Sequence, residues 1–225
     1  KAIAIYFMPS KSMDQSPHEN PFGNMKYAWQ DRSFGYVLLT WFIMGFANLW
    51  TLPLRVDYVT SPQWGIEGSA IFVAMIITVI PETMRMLLIP FWARLFDKMN
   101  FVILRMILNL SFAAGVLLFF ISSNPWIIGA GSALIGVAFA GGSIAWNLWV
   151  TKYAPPGKTG AYMSVHVSLT GIRGTLGPMV GYWAVGLIGA QNIGILSCVM
   201  MLVATLMLIP EIQHGRGKEI QRNDT

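Results

Sequence analysis

Six long apolar runs dominate the chain, at about residues 34–54, 69–91, 101–121, 126–150, 162–188 and 193–209. An α-helix rising about 1.5 Å per residue needs roughly 20 residues to cross a hydrocarbon core of about 30 Å. Each run is near or above that length. The longer ones imply tilt, or ends that project from the bilayer. Membrane-spanning strands would instead show segments of about ten residues alternating at a period of two, and these runs do not alternate. The pattern predicts an all-α, polytopic membrane protein with six transmembrane helices. It divides the chain into a cytoplasmic linker over 1–33, a six-helix domain over 34–209 and a cytoplasmic tail over 210–225. A short amphipathic piece around 25–30 is expected to lie at the membrane surface.

The polar positions inside the runs fall into stripes. In the second run Glu82 follows Pro81, and Arg85 comes three residues later on the same helical face. Thr78 extends that face. In the fifth run His166, Thr170, Arg173 and Gly177 follow one another at helical spacing. Ser143 and Asn147 are four apart in the fourth run, beside Trp146, and Trp41, Gly45 and Asn48 line up in the first. The third run has Asn109, and the sixth is apolar from Met200 through Ala204. Polar content thus gathers in the first, second, fourth and fifth helices. The third and sixth are expected to be lipid-facing support.

Residues 171–181 read Gly-Ile-Arg-Gly-Thr-Leu-Gly-Pro-Met-Val-Gly. Small residues at spacings of three and four let a second helix approach closely. Pro178 removes a backbone donor and is expected to bend the helix. Arg173 lies about eleven residues inward from Tyr162, roughly 16 Å along the axis and near the centre of the core. A guanidinium at that depth must face water, a solute or a carboxylate, and Glu82 is the acidic side chain at comparable depth. Arg105, one turn from the end of its run, is placed to snorkel.

Composition supports the membrane reading. The chain is 55 % hydrophobic and 11 % charged, whereas soluble domains carry about 25 % charged residues. The net charge of +5 is distributed by side. Lys1, Lys11, Lys26, Arg32, Arg94, Lys98, Lys152, Lys158, Arg216, Lys218 and Arg222 all fall on one side of the runs. The loops on the other side hold only Arg55. This asymmetry places both termini in the cytoplasm of a multi-pass cell (inner) membrane protein, and it is a topology signal rather than a nucleic-acid face. Trp64, Trp92, Trp126 and Trp149 fall near run ends, where indole rings favour the interface. His18, His166 and His214 share no metal-binding spacing, and Cys198 stands alone. No metal, cofactor, phosphate-binding loop or nucleophile–base pair is indicated, so an enzyme is not expected. The chain starts Lys-Ala-Ile-Ala-Ile-Tyr-Phe-Met, which reads as the continuation of a longer protein.

Several segments resemble the major facilitator superfamily. Asn-Pro-Phe-Gly-Asn-Met-Lys-Tyr-Ala-Trp-Gln-Asp-Arg-Ser-Phe, at 20–34, is similar to the end of that family's central cytoplasmic loop running into its seventh helix. Ala93-Arg-Leu-Phe-Asp97-Lys98-Met-Asn100 resembles the Gly-x-x-x-Asp-Arg-x-Gly signature between paired helices, with Ala93 and Asn100 in place of the glycines and Lys98 in place of the arginine. Gly174-Thr-Leu-Gly177-Pro178-Met-Val-Gly181 is similar to the glycine–proline motif of the fifth and eleventh helices. Residues 140–185 look like the tenth-to-eleventh helix region of poorly characterised bacterial members. The resemblance covers about 20–210 and implies the C-terminal six-helix half of a secondary active transporter. It further implies alternating access, a small polar or anionic solute held at the midplane, and a partner N-terminal half from the same longer chain or a second copy. The coupling, as symporter or antiporter and with or without protons, stays open.

The stripes and motifs nominate Arg173, Asn147, Asn48, His166 and Trp146 for the solute, and Glu82 and Arg85 for coupling. Gly174, Gly177, Pro178, Gly181 and Asp97 are nominated for helix packing and gating. Two alternatives remain. Glu82, Arg85 and Arg173 would equally suit a structural ion network, and the fold would equally suit a non-transporting scaffold or assembly factor. Midplane charges weigh against a scaffold, which need not carry them.

Overall fold

A computed structural model describes residues 23–64 and 66–214, the side chains of Asn147, Gln213 and His214 excepted. Lys1, Lys11, His18, Arg216, Lys218 and Arg222 therefore lie outside the described residues, with most of the expected linker and tail. Among the described residues the secondary structure is helical and contains no strand.

A 3₁₀ turn over Gly23–Lys26 and a single helical turn over Tyr27–Gln30 lead into α1, Arg32–Thr51. Asp31 caps α1 by accepting the Phe34 amide at 3.1 Å. The chain dips at Leu52 and Pro53 and resumes as α2, Leu54–Thr60. Ser69, Asn100 and Asn124 cap the next three helices in the same way, accepting from the amides of Phe72, Val102 and Trp126. These are α3 over Ala70–Lys98, α4 over Phe101–Ile121 and α5 over Pro125–Tyr153. α6 spans Thr159–Ile188 and ends at Gly189, whose positive φ of +80° only glycine adopts readily and which takes the chain off the helical path. α7, Ala190–Leu206, and the short α8, Ile209–His214, complete the described chain.

Among the described residues five stretches are long and apolar enough to cross a membrane: Arg32–Thr60, Ala70–Lys98, Phe101–Ile121, Pro125–Trp146 and Ala190–Ile212. The sixth expected span is the 30-residue α6. It is long enough, at about 45 Å, but its serines, threonines, glycines, His166 and Arg173 dilute its hydropathy below that of the others. It stays continuous through Pro178.

The helices pack as a row with α4 and α7 at its centre. α4 lies against α5 and α7, α5 carries α3 on its other side, and α7 carries α1, which holds α6. The seams are closed by glycines. Gly115 and Gly131 let α4 and α5 meet backbone to backbone. Gly136 seats Pro81 of α3 on α5, and Gly177 and Gly181 seat α6 on Leu49 and Trp50 of α1. Trp50 Nε1 also donates to Ser197 Oγ, tying α1 to α7. At the end of the bundle near α8, Glu211 is buried and accepts from Ser33 Oγ at 2.6 Å and from Tyr153 OH at 3.2 Å. Asp31 there accepts from Tyr162 OH at 3.0 Å.

The structure corrects three expectations. α7 does present an apolar stripe outward, at Ile195, Val199, Leu202 and Leu206, as lipid-facing support should. α4 does not fit that description alone, because Asn109 and Arg105 are buried on its inner side. Arg105 does not snorkel: it is 1 % exposed, stacks over the Trp41 ring and donates from Nε to Asn109 Oδ1 at 3.1 Å. The aromatic surface of Trp41 competes with the interface for this guanidinium and wins. Trp92 and Trp149 are core residues rather than interface anchors, whereas Trp126 is 87 % exposed. Gly177 and Gly181 meet α1, whereas Gly171 and Gly174 meet nothing among the described residues, which leaves the packing role of Gly174 to a partner surface.

Candidate functional site

The site is built on one face of α1. Trp41, Gly45 and Asn48 recur at spacings of four and three, so they share a stripe. α6 brings Thr170 and Arg173 opposite that stripe. Gly45 makes the approach possible, since a Cβ there would occupy the space of the Arg173 guanidinium. Arg173 is 9 % exposed and donates from Nη1 to the Trp41 carbonyl oxygen. Phe139 and Trp146 of α5 close the third wall. Between them lies a cavity of about 190 Å³ lined by Trp41, Gly45, Asn48, Trp146, Thr170 and Arg173 among others. Arg173 Nε, Thr170 Oγ1 and Trp41 Nε1 are buried without a hydrogen-bond partner among the described residues. Buried donors left in that state are costly.

A second cavity, of about 220 Å³, adjoins the first and shares Leu52 and Phe139 with it. Glu82 and Pro81 line it, with Ile76 and Ile77 of α3 and Ser132 of α5. Here α3 is distorted: Met75–Val79 forms a π-helical turn, and Pro81 supplies no amide to the turn before it. Ser132 Oγ donates to the Ile76 carbonyl freed by this distortion. Glu82 and Arg85 pair at 3.3 Å, both half exposed.

The wall of this second cavity also contains Arg55. The charge and the preceding Pro53 predict an outer loop for Arg55. Instead it is 6 % exposed and donates from Nη2 to Asn48 Oδ1 at 2.8 Å. The signal was present in the spacing, because Asn48 and Arg55 are seven apart, two helical turns. It was obscured by Pro53, which interrupts the apolar run without turning the chain away.

The structure thus gathers Arg173, Asn48 and Trp146 around one cavity. His166 is buried beside the cavity, set edge-on between the rings of Trp41 and Trp149 at 5.6 and 5.3 Å. Asn147 is on α5, one residue past Trp146, and its side chain lies outside the described residues. Glu82 and Arg85 lie together at the second cavity, and no ion pair joins Glu82 to Arg173 among the described residues. Gly177 and Gly181 hold the α1–α6 seam beneath the site, while Gly174, Pro178 and the exposed Asp97 line neither cavity.

No curated protein and no solved structure matches the chain. A family model does: that of the Major Facilitator Superfamily, over residues 33–224. Long apolar helices packed beside cavities that a few polar side chains line are in keeping with that family, and the match extends over nearly all of the described helices. The chain belongs to the major facilitator superfamily, a family of multi-pass membrane transporters.

Proposed function

We propose that this chain is the C-terminal half of a secondary active transporter that moves a small anionic or polar solute by alternating access. The observation that carries this reading is Arg173. It is a buried guanidinium facing a cavity, with a free Nε and no carboxylate within ion-pair distance among the described residues. An uncompensated charge in a membrane protein marks a pathway by default. Asn48, Thr170 and Trp146 complete the solute site, and the Asn147 position on α5 adjoins it. Glu82 is the proposed proton carrier, with Arg85 as its resting partner. The exposed polar and apolar faces of α3 and α6 are the surfaces that an N-terminal half would cover.

Uptake into proteoliposomes tests the assignment. Arg173→Lys keeps the charge but loses the planar fork, and is expected to cut uptake at least tenfold with the fold intact. Undiminished uptake across the concentration range would remove Arg173 from the solute site. Glu82→Gln is expected to abolish the stimulation that a pH gradient gives, and retention of it would end the carrier role.

The proposed orientation puts the Lys158 side in the cytoplasm. A cysteine at Lys158 is expected to resist impermeant thiol reagents in intact cells, and one at Gln63 to react. The reverse pattern would invert the topology.

A further inference from the structure

We infer that the end of the bundle where α1 and α6 begin holds the headgroup phosphate of an acidic phospholipid, between Lys26 and Lys158 and beside Trp29. The inference is independent of the solute site. The helical turn over Tyr27–Gln30 lies against the start of α6. Tyr27 stacks on Tyr162 with ring centroids 5.0 Å apart, and Asn24 Nδ2 donates to Ser164 Oγ at 3.1 Å. This packing gathers two ammonium groups that are far apart in the chain. Lys26 Nζ lies 5.4 Å from the Tyr27 ring centroid, and Lys158 Nζ lies 5.5 Å from it. Tyr162 covers one face of that ring, which leaves the other face and the edge to the two cations.

Both lysines are exposed, and neither has an ion-pair partner among the described residues. Asp31, the acid nearest to Lys26 in the chain, is used otherwise. Its Oδ1 caps α1 through the Phe34 amide, and its Oδ2 accepts from Tyr162 OH at 3.0 Å. Two like charges on one ring repel, and an anion between them removes that cost. A phosphate suits the place, because its oxygens accept from flexible ammonium groups without demanding a fixed fork. Trp29 points to a lipid as its source. The ring is 78 % exposed, two residues from Tyr27, and a free phosphate has no use for an apolar surface. The apolar runs of α1 and α6 start close by, at Phe34 and Tyr162. That is the depth at which indole rings and lipid headgroups meet, and basic side chains there attract acidic lipids. A phosphate held by both lysines ties the segment before α1 to the start of α6, and so braces the α1–α6 seam from its end.

The test is native mass spectrometry of the full-length protein with phosphatidylglycerol, phosphatidylcholine or inorganic phosphate added at equal concentration. Wild type is expected to retain phosphatidylglycerol about tenfold over phosphatidylcholine, and inorganic phosphate is expected to leave that retention unchanged. Lys26→Gln/Lys158→Gln is expected to lose most of the preference, and Trp29→Ala to lower retention severalfold. Arg94→Gln/Lys98→Gln removes two exposed charges from another loop and is expected to keep the preference, as is Lys26→Arg/Lys158→Arg. Thermal unfolding verifies the fold of each variant, and Lys158→Gln alone decides the matter if the double variant does not fold. In nanodiscs, phosphatidylglycerol is expected to raise the unfolding midpoint of wild type and not that of Lys26→Gln/Lys158→Gln.

The inference is overturned if wild type shows no preference between the two lipids, or if inorganic phosphate displaces the bound lipid. It is also overturned if the preference survives in Lys26→Gln/Lys158→Gln. Equal loss in that variant and in Arg94→Gln/Lys98→Gln would overturn it too, since the attraction would then belong to the overall charge and not to this site.

Discussion

Gly181→Ala is expected to destabilise the protein by about 2 kcal/mol or more, whereas Gly174→Ala is expected to be neutral or slightly stabilising. The two glycines sit in one motif and look equivalent in the sequence. In the structure Gly181 faces the backbone of Trp50, and an added Cβ would meet the Trp50 carbonyl carbon at 3.0 Å and Cα at 3.2 Å, with the carbonyl oxygen closer still. A backbone cannot rotate aside as a side chain does, so α6 must move off α1. That movement also stretches the seam at Gly177, where Leu49 Cβ already lies 3.0 Å from the position of an added methyl. It would shift Trp50, whose indole donates to Ser197. Alanine in a helix is favoured over glycine by up to about 1 kcal/mol, which offsets only part of the overpacking cost. Gly174 has no atom within 4 Å of its added Cβ, so it keeps the propensity gain alone. Thermal unfolding of the two purified variants checks this. A Gly181→Ala protein that melts with wild type would show that the α1–α6 seam is placed wrongly, and a Gly174→Ala protein that melts below it would show that another helix packs on that face of α6.

The double variant Arg105→Met/Asn109→Leu is expected to raise stability by about 1–4 kcal/mol. Arg105 is buried with both Nη atoms unpartnered, and Asn109 Nδ2 is unpartnered as well. What holds the charge is the Trp41 ring and the single bond from Nε to Asn109. A desolvated cation–π contact is worth roughly 2 kcal/mol, and a hydrogen bond to a charged group about 1.5–3 kcal/mol. Removing an ion from water costs several kcal/mol even after relaxation. Arg173, whose guanidinium donates to the Trp41 carbonyl oxygen, adds like-charge repulsion. Methionine keeps the length and packs flexibly against the indole. Arg105→Met alone strands the Asn109 amide at a cost of about 1–3 kcal/mol, so the double variant carries the sign. A lower unfolding midpoint for the double variant would mean that Arg105 is matched by an anion in the folded protein.

Much of the fold was legible in the pattern of residues. Run lengths near 20 residues and the absence of alternation follow from the thickness of a bilayer and the rise of a helix, so helix number and class can be read without knowing any contact. The caps are equally local: Asp31, Ser69, Asn100 and Asn124 accept from amides two or three residues away. The stripe Trp41–Gly45–Asn48 and the stripe through Thr170 and Arg173 also depend only on helical period, and those two do face each other across one cavity.

The remainder depended on which helix met which. Arg55 looked like a loop residue because charge and a proline set the run's end, and only the continuation into α2 brings its guanidinium back to Asn48. Arg105 looked free to snorkel because its depth is readable from sequence but the presence of the Trp41 ring is not. Gly174 and Gly181 differ only in what lies across from them. Residue type and period therefore determine which positions lie inside a membrane and on which face of a helix, because the bilayer and the helix are the same for every sequence. The partner of a buried charge or of a bare glycine is decided in tertiary structure, because it lies on another helix whose rotation and depth are set by packing the whole bundle at once.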